Sequence, residues 1–202
     1  MDSHGVNELE YWTNDFVQLG GAEKYMEARH GALPHHLEFF GKYLAEQTGV
    51  GVDIGPGLVS IFEFVKEFAP GVEQVIALEP LQDEMNLVFT PPFNPVIRYM
   101  TGSGETMPWG LAEIFDFIYC VNVIDHTPNP QAMLDEIWKV LKPGGRVYFH
   151  VNFDETLWAG GHYELWNQTL VDERLAKFTL VEKYEYDRLQ YHQHLYWAVY
   201  TK

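Results

Sequence analysis

The chain has little of three things. It carries a single cysteine, Cys120, among 202 residues, so no intramolecular disulfide can form and nothing in the cysteine usage points to an oxidising compartment. It is poor in cations: 13 Lys and Arg stand against 29 Asp and Glu, a formal net charge of −16. A field of that sign repels nucleic acid and anionic membrane surfaces and argues against polyanionic substrates. No apolar run approaches the ~18 residues of a membrane span, and the polar, acidic N-terminal stretch is unlike a secretory signal. The expected setting is the cytoplasm, with neither nucleic acid nor membrane as a partner. Core-forming residues, by contrast, are plentiful, at 47% hydrophobic and 15% aromatic, which excludes a disordered chain.

The pattern is organised around Val50-Gly51-Val52-Asp53-Ile54-Gly55-Pro56-Gly57-Leu58-Val59-Ser60. A short apolar run, an acidic residue and two glycines predict a buried strand feeding a tight turn and then a helix. Lacking side chains, Gly55 and Gly57 let a ligand lie against the backbone. Before this turn, residues 7 to 47 read as three helical pieces. The first carries Leu9, Trp12, Phe16 and Leu19, the second Tyr25, Met26 and Arg29, and the third starts at Pro34. That is more helix than a bare nucleotide domain needs, and it predicts a lid over residues 1–48 on a unit spanning 49–202.

After the turn, a helical stripe of Ile61, Phe62, Val65 and Phe68 leads to strands over 74–78, 96–100, 117–121 and 146–150. Helices are expected over 81–89 and after Asn129-Pro130, the latter closed by Lys142-Pro143-Gly144-Gly145. Residues 163–177 read as helical, and 178–186 and 196–200 as a closing antiparallel hairpin. Strand alternating with helix predicts an α/β fold with a doubly wound, mostly parallel sheet of seven strands.

In such sheets ligands bind beyond the carboxyl ends of the strands. Asp53, Glu79 and Ser103-Gly104-Glu105 collect there. Glu79, 24 positions after Gly55 and one strand over, suits a ribose, because a carboxylate accepts from both hydroxyls. A dinucleotide site would show a third glycine where Ser60 stands, and Asp53 is poor company for a pyrophosphate. An acidic residue at that point suits a ligand bearing an amino group.

Taken in order, Val52-Asp53-Ile54-Gly55-Pro56-Gly57, Glu79, Gly102 to Trp109, Phe115-Asp116-Phe117-Ile118 through Asp125-His126, and Leu141-Lys142-Pro143-Gly144-Gly145 resemble the motifs of class I S-adenosylmethionine-dependent methyltransferases. The resemblance implies S-adenosyl-L-methionine as cofactor and S-adenosyl-L-homocysteine as product. It implies Asp53, Gly55 and Gly57 along the methionine part, Glu79 at the ribose, Ser103 with Gly104 at the adenine, and Asn122 near the methionine and the transferable methyl, with Pro56, Pro80 and Glu105 also binding the cofactor. Two positions depart from the family: Val59 stands for its third glycine and Ser103 for its acidic residue after strand three.

Methyl transfer is an in-line displacement, so the protein supplies alignment and, for a weak nucleophile, a base. Asp125 and His126 are the expected catalytic pair. Trp12, Tyr25, Arg29, His30, Asn152 and His162 are candidates to line the acceptor, with Tyr11, His150 and Asp154 behind them. No metal is expected: Asp125, Asn152 and Asp154 have unremarkable spacing, and His35-His36 and His192-Gln193-His194 read as surface histidines. Lys142 and Arg146 flank a structural turn. The Asn/Asp-Pro-Pro-aromatic run of adenine-modifying enzymes is replaced by Asn122-Val123-Ile124-Asp125. The expected function is methyl transfer to oxygen or nitrogen of a small-molecule acceptor. Its rivals are a cofactor-binding protein without turnover and, behind it, an NAD-dependent oxidoreductase. The acceptor and the oligomeric state, a homodimer included, are left open.

Overall fold

The computed structural model describes residues 3–91, 93–110, 113–153, 162–188 and 193–202. Two helices come first, α1 (Ser3–Leu19) and α2 (Ala22–Ala45), separated by Gly20 and Gly21, both left-handed at φ +95° and +92°. The expected break at Pro34 does not occur, and the proline sits inside α2 on its exposed side. The reason is tertiary. Tyr25, Leu33, Phe40 and Leu44 form one buried stripe through the proline, and burying it outweighs the ~3 kcal/mol a mid-helix proline costs.

The sheet follows. Its strands are β1 (Gly49–Ile54), β2 (Val72–Glu79), β3 (Ile97–Thr101), β4 (Phe115–Val121), β5 (Leu141–Phe153), β6 (Thr179–Arg188) and β7 (Gln193–Thr201). They lie in the order β3-β2-β1-β4-β5-β7-β6. The first five pair in parallel, and β7 runs antiparallel between β5 and β6. The expected doubly wound sheet with its closing hairpin is therefore present. Among the described residues four further helices accompany it: α3 (Val65–Phe68), α4 (Gln82–Met85), α5 (Pro130–Val140) and α6 (Gln168–Arg174). None of the helices is long and apolar enough to cross a membrane, among the described residues.

Helices came out shorter than expected where caps intervene. After the glycine turn Ser60 accepts from the Phe62 N–H, and the chain makes a 3-10 turn at Ile61–Phe64 before the single turn of α3. Asn167 caps α6 through the Leu170 N–H at 3.0 Å, so residues 163–166 stay outside the helix. Asn129 caps α5 as expected, accepting from the Ala132 N–H at 3.1 Å.

Strand alternation divides the core between two faces. Val52, Ile54, Ile118, Cys120, Val147 and Phe149 meet Met133, Leu134, Ile137 and Val140 of α5 on one face. On the other, Phe117, Tyr119, Tyr148 and Trp197 meet Phe40 and Leu44 of α2 and Phe62 and Val65. His35 and His36 lie in this second layer rather than on the surface, which corrects their sequence reading. His36 Nδ1 is 2.6 Å from the Tyr119 hydroxyl and His35 packs edge-on to Trp197. Burial holds the His36 imidazole neutral, its pKa lowered to about 3. Lys142 and Arg146 are structural, as expected: Lys142 pairs with Asp116 at 2.8 Å and Arg146 donates to the Tyr43 carbonyl at 3.0 Å.

Val59 explains its own departure from glycine. It is fully buried in a cluster with Tyr25, Leu58, Met85 and Phe89, and its backbone is not left-handed. Val59→Gly should therefore destabilise the chain by about 2 kcal/mol or more through lost packing and added unfolded-state entropy. Urea unfolding checks this, and an unchanged midpoint would remove Val59 from the core.

Candidate functional site

The turn after β1 is shaped by its two glycines. Gly55 and Gly57 are both left-handed, at φ +62° and +66°. Gly55 N–H donates to the Leu78 carbonyl at 2.9 Å, which fastens the turn to the end of β2. A Cβ on Gly55 would come 2.3 Å from Val123 Cγ2, and one on Gly57 would come 2.9 Å from the Trp12 ring. The indole of Trp12, one of the expected acceptor-lining residues, thus rests on the turn itself. Pro56 between them is buried.

Two carboxylates flank the turn in the interior. Asp53 accepts the Ser60 hydroxyl at 2.6 Å, and the same hydroxyl oxygen caps Phe62. Ser60 stands where a dinucleotide motif has glycine because its hydroxyl is needed for Asp53. Glu79 receives the Gly57 N–H at 3.3 Å and the Leu81 N–H at 3.1 Å, one on each oxygen. Burial pushes both acids up to about 7, against the opposing pull of the Ser60 bond and Arg29 for Asp53, and of the two N–H groups for Glu79. Glu8 of α1 adds to the rise at Glu79. Pro80 follows, exposed.

The segments after β3 and β4 lock to each other. Ser103 caps a 3-10 turn at Gly104–Thr106 through the Glu105 N–H. Glu105 in turn accepts from the Asn129 N–H at 2.6 Å, at the start of α5. Gly104 is buried where a Cβ would strike Met133 and Ile54 within 2.9 Å. Asn122 is left-handed at φ +56°, an uncommon state outside glycine. Its Oδ1 receives the Asn152 amide at 2.9 Å, joining the ends of β4 and β5.

Asp125, His126 and His162 come together although the last is 36 positions further along the chain. One ligand-type atom from each lies within 4.8 Å of the others. The imidazoles meet edge to face at 4.5 Å between centroids, and His162 Nε2 is 3.8 Å from Asp125 Oδ2. Asp125 is 1% exposed, and neither carboxylate oxygen has a hydrogen-bond partner. His126 Nδ1 is 3.2 Å from Glu8 Oε1.

The remaining candidates divide. Tyr25 is buried packing, its hydroxyl pushed up to about 12 by burial. His30 bonds Glu67 at 2.9 Å and lies over Phe64, on the α3 side of α2. Arg29 faces inward, with its Nε buried and lacking a hydrogen-bond partner, and its charge is felt at Asp53 and Tyr119. His150 is buried against Trp197, with ring centroids 4.1 Å apart, and burial lowers its pKa to about 3. Tyr11 is exposed. Asp154 and His192 lie outside the described residues.

Comparison with known proteins decides what this arrangement belongs to. Residues 52–149 match a family model described as a methyltransferase domain. The ubiquinone biosynthesis O-methyltransferase of Pseudomonas putida (strain W619) is 30% identical over 149 residues, 72% of this chain and 51% of that protein. Residues 52–149 form a methyltransferase domain of the class I, S-adenosylmethionine-dependent type. The chain spans about half the length of that curated relative. Among solved structures, a chain of the complex between the Haloferax volcanii Trm112 methyltransferase activator and a methyltransferase superposes with TM-score 0.67 at 16% identity, covering 96% of each chain. The Burkholderia thailandensis 1,6-didemethyltoxoflavin-N1-methyltransferase, with bound 1,6-didemethyltoxoflavin and S-adenosylhomocysteine, superposes with TM-score 0.63 at 17% identity, covering 100% of this chain and 91% of that one. At those identities the likeness speaks for the fold.

The site also contains groups the sequence did not single out. Glu8 is the clearest, reaching from α1 toward both Glu79 and His126. A lone glutamate on a polar helix face carries no signal in the sequence. Ser60 was visible as a departure from a glycine pattern, but its bond to Asp53 was not.

Proposed function

We propose that this methyltransferase transfers a methyl group from S-adenosyl-L-methionine to an oxygen or nitrogen of a small-molecule acceptor in the cytoplasm, without nucleic acid or membrane as partner. Residues 1–48 act as the lid and 49–202 as the cofactor-binding unit. The observation that carries this reading is the pair of buried carboxylates, Asp53 and Glu79, on either side of two left-handed glycines. Both acids have pKa values near 7, so each readily becomes the anion that a ligand's ammonium or hydroxyl groups favour. Relatives named for O-methylation and N1-methylation support both acceptor atoms.

The cofactor supplies an already activated methyl group, so the chain's own work is to bind, align and exclude water. Asp53, Gly55, Pro56 and Gly57 hold the methionine end. Glu79 and Pro80 take the ribose, and Ser103, Gly104 and Glu105 the adenine. Asn122, fixed by Asn152, stands at the methyl. Trp12 covers the turn, and Arg29 contributes the cation on the α2 side. Asp125 and His126 act on the acceptor's proton, with the imidazole as direct base in the simplest arrangement and Glu8 orienting it.

The test is release of S-adenosylhomocysteine on incubation with S-adenosylmethionine and a panel of phenols, hydroxy acids and amines. His126→Ala should lower turnover ~10²-fold or more, the usual scale for a proton-transfer group, while S-adenosylhomocysteine affinity stays within about twofold. Absence of S-adenosylhomocysteine binding at millimolar ligand would overturn the enzyme reading, and full activity of the variant from pH 6 to 9 would leave His126 structural.

A further inference from the structure

We propose that Asp125, His126 and His162 form a binding site for one divalent transition-metal ion of the zinc type, although the sequence pointed to none. The first observation is geometric. Two imidazoles and a carboxylate converge from two separate parts of the chain, with candidate ligand atoms within 4.8 Å of one another and the Asp125–His162 pair at 3.8 Å. Ligands at about 2.1 Å around a tetrahedral ion stand roughly 3.4 Å apart, so small side-chain rotations complete the set. The second observation is independent of spacing. The Asp125 carboxylate is 1% exposed, yet both of its oxygens lack a hydrogen bond. An unbonded carboxylate in that position is costly, and a cation between it and the imidazoles would satisfy it.

The donor chemistry selects the ion. Imidazole suits zinc, cobalt, nickel and iron, whereas magnesium and calcium take oxygen ligands. Glu8 lies 3.2 Å from His126 Nδ1, the carboxylate contact by which metal-bound imidazoles are oriented through their second nitrogen. Nε2 is then the coordinating atom of His126, with Glu8 of α1 as the partner of its other nitrogen. Three protein ligands leave a position open on a four-coordinate ion. The ion would hold an acceptor oxygen there and ease loss of its proton to solvent, with His126 as ligand instead of direct base. This role rests on the proposed methyl transfer; the binding site itself does not.

The experiment uses the full chain, stripped with EDTA and titrated with zinc chloride by calorimetry and with cobalt(II) by visible absorption. Expected are one ion per chain, micromolar or tighter affinity, and an intense four-coordinate cobalt d–d band. His162→Ala and His126→Ala should each weaken binding by about tenfold or more, the scale on which even outer-shell losses register. His194→Ala on β7, whose imidazole pairs with Asp187 and Glu185 of β6, should leave it unchanged. Asp125→Asn serves as a further ligand variant, with His162→Ala covering the case in which it fails to fold. No saturable binding below 100 µM zinc, or wild-type affinity in both histidine variants, would overturn the site. Binding is read without turnover, so a failure here is distinct from a failure of the methyltransferase reading.

Discussion

Gly55→Ala should destabilise this protein by about 3 kcal/mol, one of the larger losses expected of a single methyl group. Two terms contribute. The residue is left-handed at φ +62°, which costs alanine roughly 1–2 kcal/mol. The new Cβ would also stand 2.3 Å from Val123 Cγ2 and 3.1 Å from Val123 Cβ, and overpacking of that kind costs about 1–3 kcal/mol. The two terms separate in a double-mutant cycle. Val123→Ala removes the nearer contact, so the Gly55→Ala penalty measured in that background should fall to about the backbone cost alone. Urea unfolding of the four chains gives the coupling directly. A penalty identical in both backgrounds would mean that Val123 is not what confines the turn. Because Gly55 N–H is bonded to the Leu78 carbonyl, the strain would also displace the end of β2, and Glu79 with it.

The strands themselves, their mostly parallel character and the glycine turn were legible in the sequence because they rest on local rules. Apolar runs, caps and glycines act over a few residues, and Asn129 and the Gly55-Pro56-Gly57 turn behave as their chemistry dictates. Helix lengths were less legible. The Pro34 break failed because the burial of α2 against the sheet is a tertiary effect, and the helix after the turn shrank because Ser60 serves Asp53 and Phe62 at once. The site divides along the same line. Asp53 and Glu79 follow from their position at strand ends, whereas the approach of Glu8 and His162 to His126 depends on how distant segments fold back. His30 and Tyr25 had the right composition for a ligand wall, but α2 turns the first toward Glu67 and buries the second beside Val59.

The affinity for S-adenosylhomocysteine should rise as pH rises from 6 to 7.5 and then level off. Asp53 and Glu79 both sit at about 7 in the folded protein, raised by burial from ordinary values of 3.8 and 4.5. The sign for stability follows first. Between the ordinary values and 7 the folded chain keeps protons that the unfolded chain has released, so this contribution is fully present below about pH 4 and is lost as pH rises through 7. A ligand presenting an ammonium to Asp53 and hydroxyls to Glu79 prefers the ionised acids, so its binding runs the other way and releases protons. With only about a tenth of a pKa 7 acid ionised at pH 6, each carboxylate the ligand requires as an anion weakens apparent affinity there by roughly tenfold. Glu79→Gln should remove one share of that pH dependence and lower affinity by about 1.5–3 kcal/mol, the value of hydrogen bonds to a charged group. Asp53→Asn should remove the other share. Calorimetric titration at the two pH values, in two buffers of different ionisation enthalpy, reads both the affinity and the protons released. Equal affinity at pH 6 and 7.5 with no proton release would mean that the ligand does not engage these two acids, and the glycine turn would lose its claim to be the cofactor site even though the fold around it stands.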